Sequence, residues 1–147
     1  MIRPVRPEDL DACMEIWLEG NLQAHSFIPA AYWHEAYAAV RDMLPQATLW
    51  VEEEAGTVRG FIGLQNGYVA GLFIAAPFRS CGIGGRLLAF CQKTCDTLSL
   101  EVYQKNNRAL HFYQRHGFHL IQERMDACTG ESAYYMTWDT EEDTKDV

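Results

Sequence analysis

The sequence has no apolar run long enough to cross a membrane. A spanning helix needs roughly 18 or more consecutive apolar residues, and no stretch of the 147 residues approaches that length. The first ten residues, MIRPVRPEDL, carry two arginines and two acids where a secretory signal needs an apolar segment. We therefore expect a cytoplasmic protein with no membrane partner.

Cysteine pairs and metal-binding patterns are also lacking. The five cysteines are an odd number without CxxC spacing, which argues against a disulfide framework and a zinc ribbon. Cys91 and Cys95 lie one helical turn apart, and we interpret them as core thiols. No HExxH, DxD or clustered His/Cys pattern occurs, so the sequence predicts no metal. Ser26 and Ser132 lack the GxSxG context of a hydrolase.

Positive charge is scarce. The chain has 12 lysines and arginines against 20 acids, a formal net charge of −8. Nucleic-acid binding needs a basic surface, so no nucleic-acid partner is expected. Half of the net negative charge lies at the end of the sequence, because residues 139–147, DTEEDTKDV, hold five acids and one lysine. We interpret them as an acidic, flexible tail behind one domain of residues 1–138, in a monomer or homodimer.

The hydrophobic pattern predicts one mixed α/β domain. Apolar residues at every second position predict strands, and apolar residues three and four apart predict helices. The predicted strands are 2–5, 49–54, 57–65, 68–75, 97–103, 118–125 and 132–138, and the predicted helices are 6–18, 29–43, 82–95 and 107–116. Asn66-Gly67 is the strongest hairpin signal, whereas the strand-helix-strand order after it implies a parallel crossover. The sheet should therefore contain both kinds of pairing.

The stretch RSCGIGGRLLAF, residues 79–90, places three glycines at the start of a helix. Free amides and a positive dipole end make such a start suitable for phosphate, and glycines let the phosphate approach the backbone. A P-loop is excluded because no lysine follows, and a Rossmann site is disfavoured because the third glycine of GxGxxG is absent. Close helix packing is the remaining alternative to a phosphate cradle.

A second motif follows in LSLEVYQKNNRALHFYQRHGF, residues 98–118. Together with RxxGxG in Arg79 to Gly84, the pattern NxxAxxFY from Asn106 and the closing Gly117-Phe118 resemble the Gcn5-related N-acetyltransferases. The resemblance covers residues 2–138, most closely a group of small bacterial enzymes that acetylate lysine or small amines. It implies the fold of that family, a mostly antiparallel mixed sheet of about seven strands with a splayed central parallel pair and about four helices.

The resemblance also implies a site and a cofactor. Glu101 would be the general base, and the alternation in TLSLEVY turns it away from the buried face; the alternative is a partly exposed acid at a sheet end. Tyr113 would protonate the departing coenzyme A thiolate, the alternative being a core tyrosine. The resemblance implies that acetyl-CoA is bound and that no metal is needed. The glycine-rich loop departs from the family's commonest sequence at Ser80-Cys81. The implied cofactor residues are Leu72, Phe73, Ile74, Arg79, Cys81, Gly82, Ile83, Gly84, Gly85, Arg86, Asn106 and Tyr113.

The acceptor is less well defined by the sequence. The aromatic segment from His25 to Trp33 lies where the family builds its acceptor wall, so we expect His25, Phe27, Tyr32 and Tyr68 to contact the amine, with core packing as the alternative. A protein lysine or an N-terminal amine is the preferred acceptor and a small amine the second. A catalytically silent coenzyme A-binding module is a further alternative, and a transfer-RNA-directed toxin is disfavoured by the charge.

Overall fold

The computed structural model describes residues 1–140 of the chain. Its seven strands are β1 (Ile2–Pro4), β2 (Thr48–Glu54), β3 (Thr57–Gln65), β4 (Tyr68–Ile74), β5 (Thr97–Tyr103), β6 (His119–Met125) and β7 (Ser132–Asp139). They form one sheet in the order β1-β2-β3-β4-β5-β7-β6. The helices are α1 (Leu10–Ala24), α2 (Ala30–Met43), α3 (Ile83–Thr94) and α4 (Asn107–Arg115). The predicted mixed sheet with four flanking helices is confirmed.

Two tight turns set the order of the strands in the first half of the sheet. Ala55-Gly56 joins β2 to β3, and Asn66-Gly67 joins β3 to β4, with positive φ at all four residues. This conformation matches the twist of paired strands and explains the antiparallel pairing of β2, β3 and β4. β5 then returns through α3 and runs parallel to β4, as the strand-helix-strand order predicts.

The sheet separates two apolar cores. Phe61 and Ile62 are neighbours on β3 and point to opposite faces, one toward α1 and α2 and the other toward α3 and α4. Leu98, Leu100 and Val102 of β5 are buried on the α3 and α4 face. The residues between them on β5 therefore face the other side of the sheet, which is where Glu101 lies.

The prediction for the first helix was wrong at its end. The sequence pattern ends this helix at Leu18 and places Gly20 in a linker, but α1 continues to Ala24 with Gly20 buried inside it. A Cβ at Gly20 would lie 3.0 Å from Cδ1 of Phe73, so the glycine permits close packing of α1 on β4. Packing outweighs the cost of about 1 kcal/mol of a glycine within a helix.

The chain end is described only in part. Asp139, the first residue of the predicted tail, is the last residue of β7, and Thr140 donates its amide to the Asp96 carbonyl oxygen at 3.0 Å. Residues 141–147, most of the predicted tail, lie outside the described residues. Within residues 1–140 no helix is long and apolar enough to cross a membrane. The cytoplasmic location and the oligomeric state stay predictions.

Candidate active site

The parallel strands β4 and β5 separate soon after they meet. They share the pair Tyr68 and Ser99, where the Ser99 amide donates to the Gly67 carbonyl oxygen at 2.9 Å. Beyond this point β4 pairs with β3, and β5 pairs with β7. The backbone between the two strands is therefore open at the centre of the sheet, where a substrate can insert and use main-chain hydrogen bonds.

A bulge in β4 accompanies this separation. Gly63 of β3 pairs with Gly71 and Leu64 pairs with Val69, so Ala70 is the additional residue. Gly71 is required because a Cβ there would lie 2.5 Å from the ring of Phe73. The bulge lies just before the predicted main-chain contacts at 72–74, whose side chains all pack into the two cores. The predicted contacts of these residues with a ligand would therefore use their backbone groups.

The glycine-rich loop forms an exposed helix start. Gly82 caps α3 in the left-handed conformation at φ 82°, and Ser80 also has positive φ. The first hydrogen bond of the helix is donated by the Arg86 amide to the Gly82 carbonyl oxygen at 3.1 Å. The amides of the first turn before it project outward, with the positive end of the helix dipole behind them. This geometry suits a phosphate.

The other two glycines of the loop serve packing. A Cβ at Gly84 would lie 3.4 Å from the ring of Phe112, and one at Gly85 would lie 3.2 Å from the ring of His116. Both rings belong to α4 or its end, so these glycines let α4 approach the start of α3. The packing interpretation of the motif therefore applies to Gly84 and Gly85, whereas a phosphate cradle at Gly82 stays a prediction.

The charged side chains of the loop point in different directions. Arg79 donates from Nε to the Ile74 carbonyl oxygen at 3.1 Å and is bonded to Gln23 of α1, so its guanidinium ties the end of β4 to α1. Arg86 donates to the Cys81 carbonyl oxygen at 3.3 Å and remains half exposed. Arg86 Nη2 also lies 3.9 Å from Oε1 of the buried Glu52. A Cβ at Gly82 would lie 3.4 Å from Arg86 Nη1, so this guanidinium lies at the helix start. Ile83 is buried and offers only its amide.

Glu101 borders a cavity of about 170 Å³ beside the open part of the sheet. The lining residues are Tyr68, Glu101, Tyr103, Asp126 and Ala133. Arg124 approaches Glu101 Oε1 at 3.4 Å and lies 4.1 Å above the ring of Tyr135. Because both partners of this ion pair are more than one third exposed, the pair is weak and leaves the carboxylate available.

Tyr113 lies on the opposite face of the sheet from Glu101. Its ring packs against Phe112 and Phe118, with ring centroids 5.2 and 5.6 Å apart. Burial raises the pKa of Tyr113 far above its usual value, and the nearby Tyr68 hydroxyl raises this pKa further. The hydroxyl is therefore protonated at neutral pH and is a hydrogen-bond donor on the α4 side of the sheet.

Three of the four predicted acceptor residues belong to an aromatic cluster around Tyr103. The fourth, Tyr68, lines the cavity beside Glu101 instead. His25 and Phe27 pack against the Tyr103 ring at centroid distances of 4.9 and 5.7 Å, and Tyr32 packs through Trp33. Asn106 caps α4, accepting the Ala109 amide at 3.2 Å, and its Nδ2 lies 3.2 Å from His25 Nε2. The structure thus places the predicted acceptor wall in direct contact with a predicted cofactor residue.

Three cavity residues, Tyr103, Asp126 and Ala133, were not predicted from the sequence, and two of them are polar. Tyr103 donates its hydroxyl to Asp126 Oδ2 at 2.6 Å, and the Cys128 amide donates to Asp126 Oδ1 at 2.9 Å. Burial raises the pKa of Asp126, but the hydrogen bonds together outweigh it and lower this pKa overall, so the carboxylate is ionised at neutral pH. The strand alternation that indicates Glu101 also indicates Tyr103, two residues on. No local signal marks Asp126, because a turn after β6 brings it there.

The sequence of the chain is similar to those of known proteins. The family described as "Acetyltransferase (GNAT) domain" matches residues 45–120. The chain is 39% identical to the peptidyl-lysine N-acetyltransferase YiaC of Escherichia coli over 94% of this chain and 96% of that one. It is 33% identical to the peptidyl-lysine N-acetyltransferase YjaB of Escherichia coli over 80% of each.

Solved structures match as well. The solution structure of apo YjaB from Escherichia coli has a TM-score of 0.83 at 28% identity and covers 94% of this chain and 96% of its own. An aminoglycoside 6'-N-acetyltransferase complexed with coenzyme A has a TM-score of 0.72, covering 95% of this chain and 96% of its own. At 14% identity this second likeness concerns the fold alone.

Proposed function

This chain belongs to the Gcn5-related N-acetyltransferase family, and from that premise we propose that it transfers acetyl from acetyl-CoA to the ε-amine of a protein lysine. The acetyltransferase class follows from membership. The lysine is the proposal, and it draws on the printed names of the relatives and on the cavity at Glu101. The N-terminal amine of a protein is chemically close to lysine and is the nearest variant of this acceptor.

The observation that carries the proposal is a small cavity lined by two carboxylates and two tyrosines. At pH 7 an alkylammonium is neutral in about one molecule per few thousand, a handicap of roughly 4–5 kcal/mol against attack on a thioester. Asp126 has its anionic form stabilised by hydrogen bonds and can hold the ammonium, while Glu101 can accept its proton. Aromatic walls suit the aliphatic part of a lysine and attract a cation.

Acid and base act from opposite faces of the sheet. Glu101 passes the ammonium proton on to solvent, and the neutral amine then forms a bond to the acetyl carbon on the Glu101 side, where its second proton passes to the carboxylate directly or through water. The carbon-sulfur bond breaks, the thiolate takes a proton from the Tyr113 hydroxyl on the α4 side, and the tyrosinate regains a proton from solvent. The transfer takes place in one ternary complex of enzyme, acetyl-CoA and amine, and holding both substrates in place lowers the entropic part of the barrier.

The residues present fit acetyl-CoA, which supplies the thioester. The first-turn amides of α3 and the half-exposed Arg86 suit a pyrophosphate, and Gly82 keeps side chains away from it. The open backbone of β4 suits the amide groups of a pantetheine arm. Arg79 contributes through its backbone in this proposal, because its guanidinium is engaged with Ile74 and α1.

The general acid is tested by Tyr113→Phe, which removes only the hydroxyl and keeps the ring packing. We expect kcat to fall by about 10²- to 10⁴-fold, the range for a positioned acid. The assay follows free thiol released from acetyl-CoA with lysine peptides. Tyr37→Phe, at a half-buried tyrosine of α2 that packs on Trp17, is the matched control and should keep full activity. Full activity of Tyr113→Phe rejects this assignment.

The ammonium site is tested by Asp126→Asn, which keeps the shape and removes the charge. A hydrogen bond to a charged group is worth about 1.5 kcal/mol or more, so KM for a lysine peptide should rise about tenfold. KM for acetyl-CoA should not change. Asp42→Asn, at an exposed acid of α2, is the control. An unchanged peptide KM in Asp126→Asn would show that this carboxylate does not hold the acceptor.

The acceptor class is tested by incubating a bacterial proteome with the enzyme and isotopically labelled acetyl-CoA, then sequencing the labelled peptides by mass spectrometry. Label on lysine side chains of proteins supports the proposal. Label confined to polyamines or other small amines replaces the acceptor but keeps the class. Calorimetric binding of acetyl-CoA without label on any amine indicates the silent coenzyme A-binding module instead.

A further inference from the structure

A continuous chain of hydrogen bonds links α1 to the start of α4. Asn21, which is 3% exposed, donates from Nδ2 to the Trp17 carbonyl oxygen at 2.9 Å. Its Oδ1 lies 3.0 Å from His25 Nδ1, and His25 Nε2 lies 3.2 Å from Asn106 Nδ2. Asn106 Oδ1 in turn accepts the Ala109 amide at 3.2 Å.

The backbone partners fix the direction of every bond in this chain. Asn21 must present its oxygen to the ring, because its nitrogen donates to a carbonyl oxygen. Asn106 must present its nitrogen, because its oxygen accepts an amide. A neutral imidazole satisfies both only with its proton on Nδ1 and its lone pair on Nε2. His25 is thereby confined to one tautomer.

The surroundings of the ring favour this neutral form. His25 stacks on Trp33 at a centroid distance of 5.6 Å and meets the edges of Phe27 and Tyr103. Burial lowers the pKa of His25 to about 4. An imidazolium would turn an N–H of Nε2 toward the amino group of Asn106, so two donors would face each other.

We propose that His25 is a positioning residue for Asn106, which orients the Asn106 carboxamide toward the cofactor arm and joins the acceptor wall to the helix that carries Tyr113. The Asn106 amino group has two hydrogens, and His25 accepts one. The second is left to donate to a carbonyl of the pantetheine arm. The inference rests on the proposed use of acetyl-CoA, and it makes cofactor affinity depend on a residue of the acceptor wall.

Calorimetric titration with coenzyme A tests the proposal without relying on turnover. Binding is measured for the wild type, His25→Phe, Asn106→Ala and the double variant. We expect each single change to weaken Kd by about 5- to 10-fold, the effect of one hydrogen bond of about 1 kcal/mol. The double variant should bind no more weakly than Asn106→Ala alone, because both changes remove the same interaction. Additive losses, or an unchanged Kd in His25→Phe, overturn the proposal.

Two amide variants separate positioning from packing. Glutamine places an oxygen near the position of Nε2 and can still accept from Asn106, whereas asparagine reaches only the position of Nδ1. His25→Gln should therefore retain most of the affinity, and His25→Asn should resemble His25→Phe. Equal loss in all three variants would indicate packing alone and overturn the proposal. His111→Phe, at an exposed histidine of α4, is the control and should bind as the wild type does.

Nitrogen NMR of the histidine rings gives an independent readout on the folded wild type. We expect the His25 signal, assigned by its loss in His25→Gln, to show a proton on Nδ1 and none on Nε2 at pH 7. The opposite tautomer overturns the proposal even if the variants bind weakly. A wild type that does not bind coenzyme A would reject both the proposed function and this inference, whereas normal wild-type binding with unaltered variants would reject this inference alone.

Discussion

Acidification should destabilise the fold through His25 between about pH 6.5 and pH 4, and the loss begins above the reference pKa values of carboxylates. The folded-state pKa of His25 is about 4, against about 6.5 in the unfolded chain. Between these values the unfolded chain binds a proton that the folded protein does not, so stability falls as the pH falls. The contribution is complete above pH 7 and is lost progressively from pH 6.5 downward.

The size of the loss follows from the two pKa values. At pH 5 the unfolded chain is almost fully protonated at this site and the folded protein hardly at all, which corresponds to roughly 1.5–2 kcal/mol relative to pH 8. The titratable groups around the ring do not interfere in this window. Tyr103, in edge contact with it, has its pKa raised by burial, and Asp126, bonded to Tyr103, has its pKa lowered from 3.8.

Urea unfolding followed by tryptophan fluorescence at pH 5, 6, 7 and 8 measures this effect. His25→Phe should be less stable than the wild type at pH 8 because it lacks the hydrogen bonds, but its stability should depend on pH less steeply. His116, whose pKa burial also lowers, contributes with the same sign to both proteins and cancels in the comparison. Parallel pH profiles of the two proteins would refute the reasoning.

Two further outcomes follow from backbone and charge geometry. Gly82→Ala should lower the free energy of unfolding by about 1–2 kcal/mol and weaken coenzyme A binding. Gly56→Ala, at the same φ of 82° in an open hairpin turn, should lower the free energy of unfolding equally and leave binding unchanged. Equal coenzyme A affinities of the two variants would contradict a phosphate cradle at Gly82. Arg3→Met should lower the free energy of unfolding in urea by about 3–5 kcal/mol, because it leaves the buried Asp9 carboxylate without the guanidinium bonded to it at 2.8 and 3.1 Å. A decrease below about 1 kcal/mol would contradict a buried ion pair.

Structural features that depend on a few neighbouring residues were predicted correctly from the sequence. The hairpin turns, the strand TLSLEVY and the glycine at the start of α3 depend on a few neighbouring residues, so the pattern alone predicts them. Gly20 shows the limit, because its place inside α1 depends on Phe73, more than 50 residues away. Arg79 shows the same limit, since nothing near it in the sequence indicates that its guanidinium bonds α1 and the end of β4.

Periodicity and the glycine positions predict the element order, the mixed sheet and a helix start suited to phosphate. The family resemblance, carried by a motif of about 20 residues, adds the candidate pair Glu101 and Tyr113. Only the folded chain shows that Asp126 joins Glu101 in one cavity and that His25 contacts Asn106. These contacts join residues 25 and 81 positions apart, and chain folding rather than local preference sets such distances.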